Sequence, residues 1–370
     1  MKGKAFFLWL LLLLIAFASV GCTKDQSAGS LGPKENGQNA GDIANVIDNI
    51  PISLEEGVFN KVYGWLDSHT IIYSTNVVQG SNVYAYNLDK GTNRLITMSK
   101  SMIVSIDISD SGEYMFIRSS SGPSTSLITI TKKDGSVVFT HTMNAFDLTM
   151  DWNPYNEQQI FISTFSEDWQ ARTFFLSIAD KKITEADFSD PFSKWYAMDQ
   201  LVFLDWIGEN TALTADLIQL DKNSGKEKTL LTDIYHLDTF KNVLMTMAGD
   251  PQNNDMAIYH FYQKNMKEIG SFAAPQVSGF SDRLIPYYDY ESGLNTFIYL
   301  APAVNKEKAA REEEFQLIKY DLKSNKQVKI LEGLKNEPLS CSRDGNFCLY
   351  GYNFEKLIDL NKKKIIKLTS

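Results

Sequence analysis

The sequence contains few of the residues that build metal centres and disulfide frameworks. Only three of its 370 residues are cysteines, Cys22, Cys341 and Cys348, and only four are histidines. The cysteine spacings match no zinc-binding pattern, and no two histidines are separated by three residues as in a helical zinc motif. We therefore predict no metal site and no cofactor.

The signatures of the common catalytic loops are missing as well. The chain has no Gly-x-Ser-x-Gly nucleophile turn, no Walker loop and no dinucleotide-binding glycine pattern. Acidic residues are plentiful, but the sequence marks out no pair as the two carboxylates of a glycosidase. These absences argue against a prolyl-peptidase-type hydrolase and against nucleotide- or dinucleotide-dependent enzymes.

Basic residues are fewer than acidic ones, 36 against 45, which gives a formal net charge of −9. An acidic protein is a poor ligand for nucleic acid and for anionic lipid headgroups. We therefore predict no nucleic-acid partner. Apolar residues make up 44% of the sequence and aromatic residues 12%, which is ample for a large core.

The one long apolar run lies at the start of the chain. Lys2 and Lys4 precede a mostly apolar stretch over residues 5–20, which is short for a membrane-spanning helix and typical of an export signal. The run ends in Gly21 and Cys22, which resembles the lipobox of bacterial lipoproteins, although Ser19 stands where that family usually has leucine. The resemblance implies that residues 1–21 are a lipoprotein signal peptide and that Cys22 is acylated. An ordinary secretory signal and a permanent membrane helix are the alternatives.

Residues 22–50 follow as a polar stretch dominated by Gly, Ser, Asn, Gln and Lys. Such a segment buries too little apolar surface to offset its ordering entropy, so we predict a disordered linker that acts as a tether. Two acyl chains hold a protein stably on a membrane where one does not. We therefore expect lipid on Cys22 to anchor the protein at the extracytoplasmic face of the cell membrane.

Internal repetition is the strongest signal in the rest of the chain. Seven short apolar hairpins recur, each closed by a polar turn, with spacings of about 40–48 residues and one of about 60. The residue before each turn is apolar: Leu88, Ile130, Ile178, Leu220, Tyr262, Leu322 and Leu360. This period is typical of a four-stranded propeller blade.

A second hairpin type precedes these copies and completes each blade. Its turns read Ser-Asp-Ser-Gly over residues 109–112 and Ser-Arg-Asp-Gly over residues 342–345, where glycine supplies the positive φ of a tight reversal. Trp65, Trp152 and Trp206 recur at like positions, which indicates packing between blades. We predict an all-β fold, a single β-propeller over residues 51–370. We count seven blades, and six is the alternative because the fifth copy is weak.

The Ser-x-Asp-Gly turn before an aromatic residue resembles the blade turns of TolB-like and WD40-like propellers. The whole layout of lipobox, polar tether and one propeller resembles the YqgU-like family of bacterial propeller lipoproteins. That resemblance implies a membrane-anchored propeller, usually described with six blades. It implies no catalytic residue, because no reaction is assigned to the family.

Loop residues that do not recur between blades are our candidates for ligand binding. They lie in loops predicted to share one face of the propeller: Trp169, Arg172, Trp195, Tyr196 and Tyr287. Aromatic side chains near an arginine are typical of binding surfaces. Packing of these side chains as loop anchors is the alternative.

These observations favour a non-catalytic binding or scaffold module whose partner is another envelope protein or a wall polymer. The alternative is an enzyme, a lyase or glycan hydrolase, with its site in the central channel. The charged, Ala-rich segment 301–314 is predicted to lie in the loop between the second and third strands of the sixth blade, as a solvated excursion or a partner-docking loop.

Cys341 and Cys348 lie symmetrically about Asp344 and Gly345. If those two residues form the centre of a turn, the cysteines face each other across a hairpin, where side chains approach closely. A disulfide can then form outside the cytoplasm. Two reduced core cysteines, which pack as small apolar residues, are the alternative.

Overall fold

The computed structural model describes residues 48–188, 190–206, 213–278, 283–303 and 315–369. They form seven four-stranded antiparallel sheets and one two-stranded sheet, so the predicted all-β propeller with seven blades is confirmed. The predicted signal peptide, Cys22, nearly all of the tether and residues 304–314 lie outside the described residues. No helix in the described part is long and apolar enough to cross a membrane.

We number the four-stranded sheets as blades 1–7 in chain order. Blades 1 to 3 consist of β1 (Val58–Trp65), β2 (Thr70–Val77), β3 (Gly80–Asn87), β4 (Thr92–Ser99); β5 (Ile103–Ile108), β6 (Tyr114–Gly122), β7 (Thr125–Lys132), β8 (Val137–Asn144); β9 (Asp147–Trp152), β10 (Gln159–Phe165), β11 (Ala171–Ser177) and β12 (Lys182–Glu185). Blades 4 and 5 consist of β13 (Lys194–Ala197), β14 (Gln200–Asp205), β15 (Ala215–Asp221), β16 (Glu227–Ile234); β17 (His236–Phe240), β18 (Val243–Asp250), β19 (Asn253–Tyr262) and β20 (Glu268–Pro275).

The remaining strands complete the ring. A two-stranded sheet in the connection from blade 5 to blade 6 consists of β21 (Val277–Ser278) and β22 (Arg283–Leu284). Blades 6 and 7 consist of β23 (Tyr288–Glu291), β24 (Thr296–Pro302), β25 (Phe315–Asp321), β26 (Lys326–Leu334); β27 (Leu339–Cys341), β28 (Phe347–Tyr350), β29 (Lys356–Asp359) and β30 (Lys364–Lys367).

All seven hairpins found in the sequence are the third and fourth strands of a blade. The apolar residue before each turn is buried in six copies, and Tyr262 in blade 5 is partly buried. The longest spacing between copies falls at blade 6, whose second strand ends at Pro302 and whose third strand begins at Phe315. Of the charged segment predicted to lie in the loop between these strands, Ala301 and Pro302 belong to β24, and residues 304–314 lie outside the described residues.

The two predicted Ser-x-x-Gly turns have the same construction in the structure. The Gly112 amide donates to the carbonyl of Ser109, and the Gly345 amide to that of Ser342, both at 2.8 Å. Both glycines have positive φ, as predicted, 77° for Gly112 and 68° for Gly345. A Cβ on Gly112 would lie 2.0 Å from the carbonyl oxygen of Leu66, so only glycine fits this turn.

Side-chain packing between neighbouring blades joins the sheets into a ring. Seven clusters of buried apolar residues fill the seven junctions, and each contains residues from two consecutive blades. One of them joins blade 7 to blade 1 through Phe347 and Leu349 on one side and Trp65 and Tyr73 on the other. A lone blade would expose both faces, so this stacking is the main source of stability.

The ring closes without exchange of strands between its two ends. Every four-stranded sheet is formed by one continuous stretch of chain. Beyond the apolar cluster, blades 7 and 1 are linked by a hydrogen bond from the indole nitrogen of Trp65 to the carbonyl of Ser340, at 2.9 Å. The segment before β1 adds a bond from the amide of Ile52 to the carbonyl of Leu368, at 2.8 Å.

Candidate functional site

The ring has two faces that carry different connections. All innermost strands run in one direction, because each fourth strand is antiparallel to the first and leads into the next blade. The loops between second and third strands and the connections between blades therefore share one face, which we name the upper face. The turns between first and second strands, and between third and fourth strands, form the lower face.

The structure corrects the predicted ligand-binding role of Trp195 and Tyr196, because both side chains belong to the core. Trp195 is 0% exposed and Tyr196 is 5% exposed. They are consecutive residues of β13, so their side chains point to opposite sides of the sheet. Trp195 packs with Phe161 of blade 3, and Tyr196 packs with Leu244 of blade 5.

Trp195 occupies the place that the sequence pattern assigned to Trp206. The Trp195 indole nitrogen donates to the carbonyl of Asp151 in blade 3 at 3.1 Å. Trp65 makes the equivalent bond to Ser340 of the blade before it. Trp206 instead lies in the loop between β14 and β15 and is 50% exposed, so its predicted packing between blades is wrong.

Trp169 lies on the upper face within a chain of four aromatic rings. Trp169, Phe192 and Phe146 are 65%, 68% and 46% exposed, and they surround the buried Phe165. The ring centroids of Trp169 lie 6.2 Å from Phe146 and 6.0 Å from Phe165, and Phe165 lies 5.9 Å from Phe192. We name these four residues the aromatic patch. It spans the loop of blade 3 and the connections on both sides of it.

The backbone holds Trp169 in a strained conformation. Its φ of 59° is unusual for a bulky residue and is fixed by a turn in which the Trp169 amide donates to the carbonyl of Ser166 at 3.0 Å. The Gln170 amide also donates to the Ser166 hydroxyl at 3.0 Å. Strain of this kind persists only where the surrounding structure enforces it, so the turn presents the exposed indole in a defined position.

Other exposed apolar side chains also concentrate on the upper face. They lie in its loops, in its connections or at the adjoining strand ends: Val58, Val78, Met98, Met102, Val104, Trp206, Leu213, Leu284, Tyr287 and Tyr352. Among the described residues, the large apolar residues exposed elsewhere are fewer and are spread over outer strands, lower-face turns and the segment before β1: Leu54, Leu95, Val137, Met198, Leu294, Val328 and Ile365. An uneven distribution of this kind is typical of an interaction face.

Arg172 and Tyr287 do not join Trp169 in one site. The Arg172 guanidinium donates to both carboxylate oxygens of Glu185, at 2.8 and 2.7 Å. This bidentate pair already uses the edge of the guanidinium with which arginine would bind a ligand carboxylate. Tyr287 lies on blade 6, whereas Trp169 lies on blade 3, and its amide donates to Asn336 at 2.9 Å. The structure thus brings Trp169 together with Phe146 and Phe192, which the sequence did not single out.

Cys341 and Cys348 pair directly across β27 and β28 and are joined by a disulfide. Both cysteines are buried in the cluster between blades 6 and 7. The bridge closes a turn of only six intervening residues, so it fixes the innermost hairpin of blade 7 next to the channel.

A second group of polar residues lies around the central channel. In every blade, one residue of the innermost strand pairs with the third residue of the second strand of the same blade. We name these seven equivalent positions the channel ring: Gly64, Asp107, Asp151, Lys194, Asp238, Asp289 and Ser340. Four are aspartates and one is lysine. The Lys194 ammonium lies 3.2 Å from an Asp151 oxygen, and this carboxylate raises the pKa of Lys194.

The lower end of the channel opens into a cavity of about 750 Å³. Six channel-ring residues line it, all except Asp238, together with the ends of the innermost strands and the turns that follow them. Its lining contains six acidic residues, Asp107, Asp110, Asp151, Glu157, Asp289 and Glu291, and three basic ones, Lys194, Lys241 and Arg343. The cavity is therefore acidic, in keeping with the charge of the whole chain.

Burial changes the acidity of several cavity residues. It raises the pKa of Asp107 to about 6 and that of Asp289 to about 6. Burial, followed by the charge of Asp289, raises the pKa of Glu291 to about 8, so this carboxyl group is largely protonated at neutral pH. Carboxyl groups shifted in this way and gathered in a cavity mark a candidate binding site.

The sequence contains a signal for these residues. Asp107, Asp151 and Asp289 each stand between two apolar residues of an innermost strand, where an acidic residue is costly unless it faces a channel. Asp238 follows Leu237 in the same way. Alignment of the blades on these aspartates would have predicted the channel ring.

Comparisons with known proteins agree with this fold. The model of the YqgU-like 6-bladed beta propeller domain matches residues 87–351. A protein of Bacillus subtilis (strain 168), "Uncharacterized lipoprotein YqgU", is 20% identical over 322 residues, which cover 87% of this chain and 87% of the relative. The family description names six blades, whereas this chain forms seven. The matched residues contain five complete blades, one strand of blade 1 and two strands of blade 7.

Solved structures share the propeller. Uncharacterized protein lmo1340 from Listeria monocytogenes EGD-e is 22% identical, with a TM-score of 0.77, and the match covers 86% of this chain and 96% of that chain. An oligogalacturonate lyase in complex with manganese is 8% identical, with a TM-score of 0.54, covering 80% of this chain and 85% of that chain. At these identities the likeness concerns the fold alone.

Proposed function

This chain belongs to the YqgU-like 6-bladed beta propeller domain family, and from that membership we propose that it is a lipid-anchored binding module without catalytic activity. Its partner is another envelope protein or a wall polymer outside the cytoplasm. The upper face of the propeller engages that partner, with the aromatic patch at the centre of the contact.

Two observations support the anchor. Residues 1–22 carry a basic start, an apolar core and a lone cysteine after a small residue. The Bacillus subtilis relative, which spans 87% of this chain, is described as a lipoprotein. Acyl chains on Cys22 then hold the protein on the membrane, and residues 23–50 give the propeller reach above it.

Replacing Cys22 with serine tests the anchor directly. We expect the variant to move from the membrane pellet to the supernatant after cell fractionation, because it lacks the acylated thiol. Metabolic labelling with a fatty acid should mark the wild type and not Cys22→Ser. A Cys341→Ser, Cys348→Ser double variant is the matched control and should keep both the label and the membrane fraction. A labelled Cys22→Ser protein would contradict the proposal.

The exposed aromatic patch is the observation that carries the binding role. Three large rings, those of Phe146, Trp169 and Phe192, are about half exposed or more. Phe146 contacts Trp169 directly, and Phe165 links Trp169 to Phe192. Exposure of such a cluster to water is unfavourable, and a partner that covers it gains the burial energy. Tryptophan is also among the residues that contribute most to binding when covered.

Crosslinking and affinity capture of the membrane-anchored protein test this role. We expect a Trp169→Ala, Phe192→Ala double variant to recover its partner at least about tenfold less efficiently than the wild type, because each truncation removes a large contact area. The partner is identified by mass spectrometry for a protein and by sugar analysis for a wall polymer.

The matched control removes exposed apolar side chains elsewhere. Val137 and Val328 are 57% and 53% exposed on the outer strands β8 and β26, and a Val137→Ala, Val328→Ala double variant should capture as the wild type does. An equal loss of partner capture in both double variants would mean that capture reflects nonspecific adsorption to exposed apolar side chains. Unchanged capture by Trp169→Ala, Phe192→Ala would remove the aromatic patch from the binding site.

An enzyme with its site in the central channel is the second candidate. One observation favours it: Asp289 and Glu291 line one cavity with pKa values of about 6 and about 8, a separation of the kind that acid–base pairs use. The first candidate remains better supported, because the Asp289 carboxylate already accepts two backbone amides, those of Tyr290 and Cys341. A group held in this way is poorly placed to transfer protons.

A further inference from the structure

We propose that the cavity at the lower end of the channel binds a small organic cation bearing primary ammonium groups. This site lies on the opposite face from the aromatic patch and does not depend on the partner proposed above. A cavity of about 750 Å³ is of the size that holds small molecules. Its surplus of acidic over basic residues sets the sign of the ligand charge.

Not all acidic residues of the cavity are available to a ligand. Asp151 accepts the amide of Trp195 at 3.0 Å and contacts Lys194 at 3.2 Å, and it thereby ties blade 3 to blade 4. Asp289 accepts the amide of Cys341 and ties blade 6 to blade 7. These two carboxylates have structural partners, so they add negative potential to the cavity but offer few free lone pairs.

Glu291 is different, because it is buried and has no partner. It is 8% exposed and lines the cavity, and its carboxyl group takes part in no hydrogen bond or salt bridge with the residues that the structure describes. A buried acidic group without a partner is costly unless something else satisfies it. Its position in the wall of an acidic cavity points to a ligand cation as that partner.

Aromatic rings complete a site suited to an ammonium group. Trp152, Phe240 and Tyr290 line the same cavity, and the faces of such rings attract organic cations.

The spacing of the carboxylates favours an organic cation over a metal ion. Within the described residues no three His, Cys, Asp or Glu side chains are close enough together to hold a metal ion. A calcium ion needs six to eight oxygen ligands within about 2.6 Å. Carboxylates spread around a cavity suit a ligand whose charge is carried on an extended organic skeleton.

Binding of a cation here must displace a proton. Glu291 is mostly protonated at neutral pH, because burial raises its pKa to about 8. Four charged groups face it: Asp289, Asp344 and Asp110 oppose its ionisation, and Arg343 favours it. An added ammonium group favours the ionised carboxylate, so binding at neutral pH releases protons and binding tightens as the pH rises towards about 9.

Calorimetric titration of the full chain in detergent micelles with 1,5-diaminopentane tests the site. We expect binding of the diamine and none of 1,5-pentanediol, which has the same skeleton without charge. At neutral pH the observed heat should depend on the ionisation enthalpy of the buffer, which reports up to one proton released per diamine. If Glu291 had only a structural role, diamine binding would release no proton and the heat would not depend on the buffer.

Two conservative variants complete the test. Glu291→Gln should abolish the buffer dependence and weaken diamine binding about tenfold above pH 8, and Asp107→Asn should weaken it about tenfold while keeping the buffer dependence. Glu332→Gln alters an exposed side chain of β26 and should bind as the wild type does. The inference is overturned if the diol binds as well as the diamine, if no diamine binds at millimolar concentration, or if both variants bind within twofold of the wild type. Partner capture through the aromatic patch is unaffected by any of these outcomes.

Discussion

Replacing Trp195 with alanine is expected to lower the free energy of unfolding by about 3–5 kcal/mol. The indole is fully buried between blades 3 and 4, where it packs with Phe161, Leu201 and Leu220. Its nitrogen also satisfies the carbonyl of Asp151. Alanine would leave a cavity at a junction of the ring and an unpaired carbonyl group. Urea unfolding of the full chain should show a lower midpoint at an unchanged m-value.

Trp206→Ala is the matched control, because the same side chain is truncated at an exposed site. Trp206 is 50% exposed in the loop between β14 and β15, so its loss should change the free energy of unfolding by less than about 0.5 kcal/mol. The sequence pattern predicted the reverse order, with Trp206 packed between blades and Trp195 at a binding surface. Unfolding of Trp206→Ala at lower urea than Trp195→Ala would support that pattern against the structure.

The contrast between these two tryptophans shows what the sequence could reveal. All seven outer hairpins were found because each depends on local turn chemistry, such as Asp134–Gly135 or Asp221–Gly225, that is visible in a short window. Blade 4 begins with a strand of four residues, β13, whose turn at Met198 and Asp199 lacks glycine. No local sequence feature marks that strand. Trp206 precedes a Gly-Glu-Asn stretch, and the pattern around it therefore resembles Trp65 and its following turn more closely than the pattern around Trp195 does.

The channel ring was missed for a different reason. Asp107, Asp151 and Asp289 lie far apart in the chain, and each alone reads as an ordinary solvated residue. Their meeting depends on strand register within three sheets and on the arrangement of the sheets around one axis. The aromatic patch was half predicted: Trp169 stood out as a lone loop tryptophan, but Phe146 and Phe192 reach it from connections whose path the sequence does not specify.

Raising the pH from about 5 to about 9 is expected to reduce the stability of the propeller. Burial raises the pKa of Asp107 and Asp289 to about 6 and that of Glu291 to about 8. A carboxyl group whose pKa is higher in the folded chain stabilises the fold while it is protonated. That contribution is complete below the unfolded pKa of about 4 and is lost as the pH rises through the folded value.

The loss should therefore occur in two overlapping steps. The aspartates lose their contribution between about pH 4 and 6, and Glu291 loses its own, on the order of 2 kcal/mol once water in the cavity is allowed for, between about pH 4 and 8. Above about pH 6 only Glu291 acts, and we name that part of the fall the upper step. Urea midpoints measured across this range should fall, and Glu291→Gln should remove the upper step because a neutral amide does not ionise. Glu332→Gln, on exposed β26, should keep both steps.

A stability that is flat between about pH 6 and 8 in the wild type would contradict the protonated state of Glu291. If the upper step is found, Glu291 lowers the stability of the ligand-free fold at high pH, and a cationic ligand can restore that stability. The fold must either keep a proton on Glu291 or carry a buried, unpaired charge, and both states are less favourable than a carboxylate paired with a cation. A diamine that binds there should then raise the urea midpoint most at about pH 9, where the proton is already gone.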